Sequence, residues 1–290
     1  MITIIMNLKT PILTLIVLAT CLTSCAPKAK LTKLDQSLTR NYVTMMEASP
    51  EIRFDSLAPL FKNRLKTELT KPGTLKYPFD SLSEKLFNVT TDDGKFRIFS
   101  WDEQDTGNWH HIAVFGQFKT ETGRVAVQEL SPFSVDEMEG GGYSDSYTYE
   151  IHTLTIDGKP HYLALGSGTH GSGFKHQVVQ IFKIEGDSLT RCGSCFEEGS
   201  RSFGTEKYSY DYLVIEVRRG DYIDLKFNSE TNEITFNEYV YPDYSYAKEP
   251  QINATTLKLV DGVFKTVSSV KLSDEQVKDL QEKEKPAVDW

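Results

Sequence analysis

Every histidine of the 290-residue chain falls between positions 110 and 176: His110, His111, His152, His161, His170 and His176. Imidazoles gathered near acids such as Asp102 and Asp105 are the usual donors of a zinc or other divalent-metal site. The spacing does not support that use. No two histidines stand at i and i+4 around a glutamate, as a helical metal site requires. His110 and His111 are neighbours, and on a strand they would point to opposite faces. The expectation is no bound metal, with the histidines at the surface or hydrogen-bonded. Gly166-Ser167-Gly168-Thr169-His170-Gly171 matches the glycine pattern that cradles a dinucleotide pyrophosphate, but that chemistry needs a helix N-terminus next. Residues 177–184 alternate like a strand instead, so no nucleotide or other cofactor is expected. The segment reads as a flexible loop with His170, Lys175 and His176 at its rim, a ligand-contacting or simply exposed hairpin. Gly140-Gly141-Gly142 reads as a second mobile connection.

Hydrolysis would call for two carboxylates facing a cleft, or a nucleophile beside its base. Asp102, Glu103 and Asp105, next to Trp101 and Trp109, are the best carboxylate candidates, and the G-x-S-x-G elbow is absent. The reading therefore leans away from an enzyme. Tyrosines concentrate late: Tyr208, Tyr210 and Tyr212 share one face of a predicted strand, and Tyr239, Tyr241, Tyr244 and Tyr246 surround Pro242. Such a stripe either packs in a sheet or stacks against sugar rings and peptides while its hydroxyls take hydrogen bonds. Trp101, Asp102, Trp109, His170, His176, Tyr208, Tyr210 and Tyr212 are thus the candidate ligand-binding residues. Cys192 and Cys195 form a C-x-x-C pair. No helix is expected after it to lower a thiolate pKa, and no second pair is present to complete a zinc site. In an oxidising compartment a local disulfide pinning a turn is the first expectation, two free thiols the second and a redox or metal role the third.

The compartment follows from the first 25 residues, MITIIMNLKTPILTLIVLATCLTSC. One early lysine, Lys9, precedes an apolar run from Pro11 to Ala19 and small residues before Cys25, the layout of a secretory signal. The run is shorter than the roughly 20 residues of a membrane-spanning helix. Leu22-Thr23-Ser24-Cys25 resembles the lipobox of bacterial lipoproteins. The resemblance implies cleavage before Cys25, a diacylglycerol on its thiol and an acyl chain on the freed amine, two signals being enough for stable anchoring. Ala26 stands where an inner-membrane retention signal would resemble aspartate, which implies delivery to the outer membrane. Pro27-Lys28-Ala29-Lys30 lacks the acids that accompany surface display, so the periplasmic face is expected. The stretch TDDGKFRIFSWDEQDTGNWHHIAVFGQFK is similar to uncharacterised exported proteins of Bacteroides-like bacteria and supports only the compartment.

Loss of residues 1–24 removes Lys9 and no acid, moving the formal charge from −9 to −10 and leaving about 265 residues. An acidic exported chain is a poor match for nucleic acid, whose phosphates reward clustered lysine and arginine. The length is ample for a core without metals.

The elements that must position these residues fall into two regimes. Residues 34–90 read as helical, after an anchor and linker at 25–33. Leu34, Leu38, Tyr42 and Met45 keep helical spacing, and Leu57, Leu60, Phe61, Leu65 and Leu69 share a face. Phe54-Asp55-Ser56-Leu57 recurs as Phe79-Asp80-Ser81-Leu82, with Asp or Ser as helix cap and Phe as staple. Asp187-Ser188-Leu189 is a third copy. The tripeptide also resembles the O-glycosylation acceptor of Bacteroides-like exported proteins, at Ser56, Ser81 and Ser188, but capping or turn chemistry is the preferred account. Residues 91–270 read as about eleven strands in succession joined by tight turns such as Asp157-Gly158 and Asp261-Gly262. Ser273-Asp274-Glu275-Gln276 opens a short closing helix in the tail, 271–290, with a capping box. The expected fold is mainly β with N-terminal helices (α+β), an antiparallel meander forming a sandwich, an open barrel or a small irregular propeller. The expected role is a non-catalytic, lipid-anchored module binding a glycan or peptide. A structural or assembly component of the envelope, meeting other envelope proteins, comes second, and a periplasmic hydrolase third.

Overall fold

The computed structural model describes residues 10–104, 110–130, 146–170, 173–197, 200–201, 212–242 and 248–282, with side chains from residue 28 onward except at 170, 200 and 201. Helix α1 (Thr10–Glu47) is continuous. Its buried stripe, Leu38, Tyr42 and Met45, follows the helical period. After the short α2 (Pro50–Ile52) come a π-helical turn (Arg53–Leu57) and α3 (Ala58–Leu69). Pro59 explains the widened turn: it has no N–H to give to residue 55, and its ring crowds that carbonyl. The extra residue rotates the helix face. Leu60, expected in the stripe, is 62% exposed, and Ala58 joins Phe61, Leu65 and Leu69 in the core instead.

The second Phe-Asp-Ser-Leu copy forms α4 (Asp80–Ser83), and no local side chain caps it. Asp35 of α1 does so from outside. Its carboxylate, 2% exposed, accepts the backbone N–H of Ser81 at 3.1 Å and of Leu82 at 3.0 Å. The expected local cap therefore gives way to a tertiary one.

The described strands make three sheets, none closed into a barrel, so of the expected alternatives the molecule takes the layered sandwich form. Sheet A is a meander of β1 (Phe87–Thr90), β2 (Phe96–Asp102), β3 (Ile112–Lys119) and β4 (Val125–Glu129). The helical region thus ends earlier than expected, with its last residues, 87–90, forming the first strand. Sheet B contains β5 (Tyr147–Ile156), β6 (Lys159–His170), β7 (Phe174–Glu185), β8 (Ser188–Arg191), β9 (Ser200–Arg201) and β10 (Tyr212–Arg218). Its order is β5-β6-β7-β10-β9, with β8 also pairing β7 and the short β9 parallel to β10. Sheet C is β11 (Lys226–Asn228), β12 (Glu233–Val240), β13 (Gln251–Val260) and β14 (Val263–Lys271). Asp157 and Gly158, like Asp261 and Gly262, have positive φ, as tight hairpins require.

Side-chain alternation sets the layer order. In sheet A, Phe99, Trp101, Ala113 and Phe115 meet the helices, while Phe96, Ile98, Val114 and Phe118 meet Tyr162, Ala164 and Phe182 of sheet B. On the other face of sheet B, Leu163, Leu165, Val179, Ile181, Leu213 and Ile215 join a core with Ile234, Phe236 and Leu257 of sheet C. The stack runs helices, sheet A, sheet B, sheet C. Helix α5 (Asp274–Glu282) closes the chain, adding Leu280 to the sheet C core. Ser273 and Gln276 bond reciprocally at its start, at 2.9 and 3.3 Å.

One local reading changes on folding. The glycine-rich segment expected as a loop lies largely within β6, paired to β7 from Tyr162 through His170. A side chain at Gly166 would meet Tyr147 O and a Val178 methyl at 2.9 Å each, so glycine there permits close sheet packing. Cys192 and Cys195 are joined by a disulfide. The loop it closes seats Phe196 against Phe264 of β14, ring centroids 5.7 Å apart, and so ties the exit of sheet B to sheet C.

Replacing Asp35 by alanine strands the half-buried N–H of Ser81 and the buried N–H of Leu82 and loosens α1 from α4. The Asp35→Ala protein should lose about 2–3 kcal/mol of stability in urea denaturation.

Candidate functional site

The end of β2 emerges from between the layers next to the first half of α3, and its last residues point in alternating directions. Trp101 points into the helix–sheet core, 1% exposed, stacked on Phe115 at 5.4 Å and met edge-on by Phe61 and Tyr42. It is a packing residue with no face left for a ligand. Asp102 sits in a polar network. It accepts a hydrogen bond from the Gln104 backbone N–H at 2.7 Å and one from the Tyr147 hydroxyl, and it pairs with His110 Nδ1 at 2.6 Å.

Gln104 has a left-handed backbone, φ 56°, uncommon without glycine. Its side-chain oxygen accepts from Arg53 of the π-helical turn at 3.1 Å, and the same guanidinium donates to Met46 O at 2.7 Å and Ala48 O at 3.1 Å. One arginine thus fastens the end of α1 to the end of β2. π-Turns and left-handed non-glycine residues both concentrate at functional sites.

Glu103, next along, enters a different cluster. It is 6% exposed, held by Lys62 Nζ at 2.7 and 2.8 Å and by His111 Nδ1 at 3.3 Å. Lys62 also lies 3.7 Å from Glu129, which pairs with Lys66 at 3.0 Å, and the Lys66 ammonium sits 5.3 Å from the centre of the Phe115 ring. These groups border an open cleft of about 330 Å³, walled on the helix side by Phe54, Ala58 and Pro59. Its charges alternate and nearly cancel. The rim pair, Lys66 and Glu129, keeps 37% and 26% of its side-chain surface, leaving a donor and an acceptor within reach of a ligand. Such a surface suits a polar ligand with hydroxyl or amide groups and an apolar edge. A larger hollow, about 430 Å³, separates sheet C from α5. Its buried polar groups are already engaged: Asn237 bonds Asp224 N and Tyr222 O, and Thr255 bonds Glu238 and Ser269.

The residues singled out in the sequence do not gather here. Asp102 and Glu103 each face their own histidine, so they are not a carboxylate pair over one cleft. His176 is 1% exposed and shares a 2.8 Å hydrogen bond with Ser146 Oγ. His152 pairs with Glu150, and His161 Nδ1 lies 3.1 Å from Lys159 O. Tyr212 opens β10, half-buried opposite Gln180. Tyr239 and Tyr241 are buried, with hydroxyls on Tyr222 O and Asp221. Trp109, Tyr208, Tyr210, Tyr244, Tyr246, Asp105 and the Gly140 run, and the side chains of His170 and Cys25, lie outside the described residues. Among the described residues, no three of His, Cys, Asp and Glu come together as metal ligands. Sequence reading marked Glu103 but missed Phe54, Lys62, Lys66 and Glu129. Only the i, i+4 spacing of the two lysines beside an apolar helix face hinted at them, and that is common on surface helices.

No protein-family model matches the chain, and no curated protein matches it.

Burial, then Asp102, pushes the Tyr42 hydroxyl up to about 12, with Arg53 opposing. Burial raises Tyr147 further, and Tyr162 and Tyr239 to about 12. In the unfolded chain these phenols ionise near pH 10. A raised folded value means that the stabilisation is complete below pH 10 and is lost between pH 10 and 12. Arg97, pushed down to about 10 by burial, has the opposite sign and offsets part of this. The urea midpoint should therefore hold to about pH 9.5 and fall steeply above pH 10. A flat midpoint through pH 11.5 would contradict the burial of these phenols.

Proposed function

We propose that the chain is a lipid-anchored protein of the outer membrane, facing the periplasm through Cys25, whose body is a non-catalytic module binding a glycan or peptide in the α3–sheet A cleft. The observation that carries this reading is the cleft itself: about 330 Å³, part apolar wall, part alternating Lys62, Glu103, Lys66 and Glu129. Matched charges of this kind orient a polar ligand through hydrogen bonds without favouring a strongly charged one. The continuity of α1 supports the arrangement. From Cys25 to Met46 a helix rises about 30 Å, and Arg53 grips Met46 O at the cleft end. The cleft then stands away from the anchored end.

A second reading is an assembly component of the envelope. Ile52 and Leu60, large apolar side chains 55% and 62% exposed on the helical segments that wall the cleft, favour it, since exposed apolar surface of this kind is a feature of protein contacts.

Two measurements test the proposal. Cells expressing the protein should incorporate labelled palmitate into it, and Cys25→Ala should abolish the label; an unlabelled wild type would remove the anchor from the reading. A panel of envelope glycans and short peptides, measured by calorimetry, should contain a ligand whose affinity falls about tenfold in Lys66→Ala, the loss of one charge-assisted hydrogen bond. Lys66 is exposed enough that its loss costs little stability. Equal affinity in the two proteins would place the ligand elsewhere.

A further inference from the structure

The end of the molecule opposite the cleft has a character of its own. Lys28, Lys30 and Lys33 are all exposed on α1 and make no ion pair among the described residues. On an α-helix Lys30 lies about 200° and Lys33 about 140° around the axis from Lys28. They ring the helix and do not line one face. Measured from Cys25 they stand at about 4.5, 7.5 and 12 Å along the axis.

The body adds to this collar. The turn after α3 folds back against it: Tyr77 donates its hydroxyl hydrogen to Thr32 Oγ1 at 3.3 Å, and a side chain built at Gly73 would lie 3.5 Å from Leu31. That brings Lys71 and Lys76 alongside, both exposed. Glu68 is already paired with Lys71, which leaves Lys28, Lys30, Lys33 and Lys76 uncompensated by a direct partner. In a chain of net charge −9, four unpaired lysines at one pole are a marked asymmetry.

We infer that this lysine collar is a membrane-contact surface that binds the phosphates of anionic phospholipid headgroups. The inference rests on the lipid-anchored reading for its placement but on the lysines for its chemistry. An acidic body should be repelled by an anionic bilayer. The collar reverses the sign of the field over the first 12 Å or so, about the reach of charge at physiological salt. Because the lysines surround the helix, the contact is satisfied with α1 upright, which holds the cleft end away from the surface. A one-sided basic stripe would instead lay the helix down.

The test uses the chain from residue 25 with Cys25→Ser, so that no acyl chain contributes. α1 meets the body from Leu31 and Thr32 onward, all beyond Cys25, so the folded part is intact without residues 1–24. This protein should co-sediment with phosphatidylglycerol-containing vesicles at low salt, release as salt rises, and ignore pure phosphatidylcholine. Replacing Lys28, Lys30 and Lys33 together by glutamine should weaken the partitioning on the order of 100-fold, at a few-fold for each lysine near the surface. These side chains are exposed and make no ion pair among the described residues, and an unchanged circular dichroism spectrum checks that the variant is folded. The matching pair Lys265→Gln and Lys271→Gln, on β14, should change it little. Equal binding to both vesicle types, no binding to either, or an unaltered triple variant overturns the inference. Palmitate labelling of the wild type reads the anchor independently. Label without headgroup dependence sinks the collar alone, and headgroup dependence without label sinks the anchor alone.

Discussion

β2 and β3 are buried on both faces, and the rest of the molecule is arranged around that burial. From Phe96 to Trp101 every side chain of β2 is inside, and from Ile112 to Phe118 every one of β3. An antiparallel sheet of this kind cannot face water on either side, so it needs two partners. The helices supply one, through Leu38, Tyr42, Phe61 and Leu65. Sheet B supplies the other, through Tyr147, Tyr162 and Phe182. Sheet B then has its own second face to cover, and sheet C covers it. The layers follow in turn from the first unsatisfied surface.

The polar groups caught inside this stack explain how it is registered. Arg97, 3% exposed on β2, donates to Thr90 Oγ1 and Tyr77 O and lies over Phe79 and Phe99. Gln117 on β3 donates to Leu69 O at 2.7 Å and to Thr74 Oγ1 at 3.0 Å. Both satisfy backbone or hydroxyl groups at the turn after α3, where the helix end leaves carbonyls without partners. Buried donors of this kind accept few alternative placements, so they fix where the helical layer sits on the sheet.

The candidate cleft is where this burial stops. As β2 leaves the stack, the alternation that hides Trp101 turns Asp102 and Glu103 toward separate polar partners. The charges there are the rim of the apolar layers, supported by the aromatic packing beneath. Lys66 shows the connection directly, since its ammonium bonds Glu129 while facing the Phe115 ring that stacks on Trp101.

By itself the sequence determined the regime of each region, because helical and strand periods are local properties of side-chain order. It marked the helices, most of the strands, the hairpin turns at Asp157-Gly158 and Asp261-Gly262, and the capping box at Ser273. What it could not decide were outcomes set by distant partners. The cap of α4 comes from Asp35, forty-odd residues away. Leu60 falls out of the core because Pro59 forces a π-turn, a rotation that a fixed helical period does not anticipate. Trp101 and His176 looked like ligand groups because aromatic and imidazole side chains serve either purpose, and only the layers above and below them show that they are enclosed. The cleft was illegible for the same reason. Lys62 and Lys66 come from a helix, Glu103 from the end of β2 and Glu129 from the end of β4, and only the docking of helix on sheet brings them together.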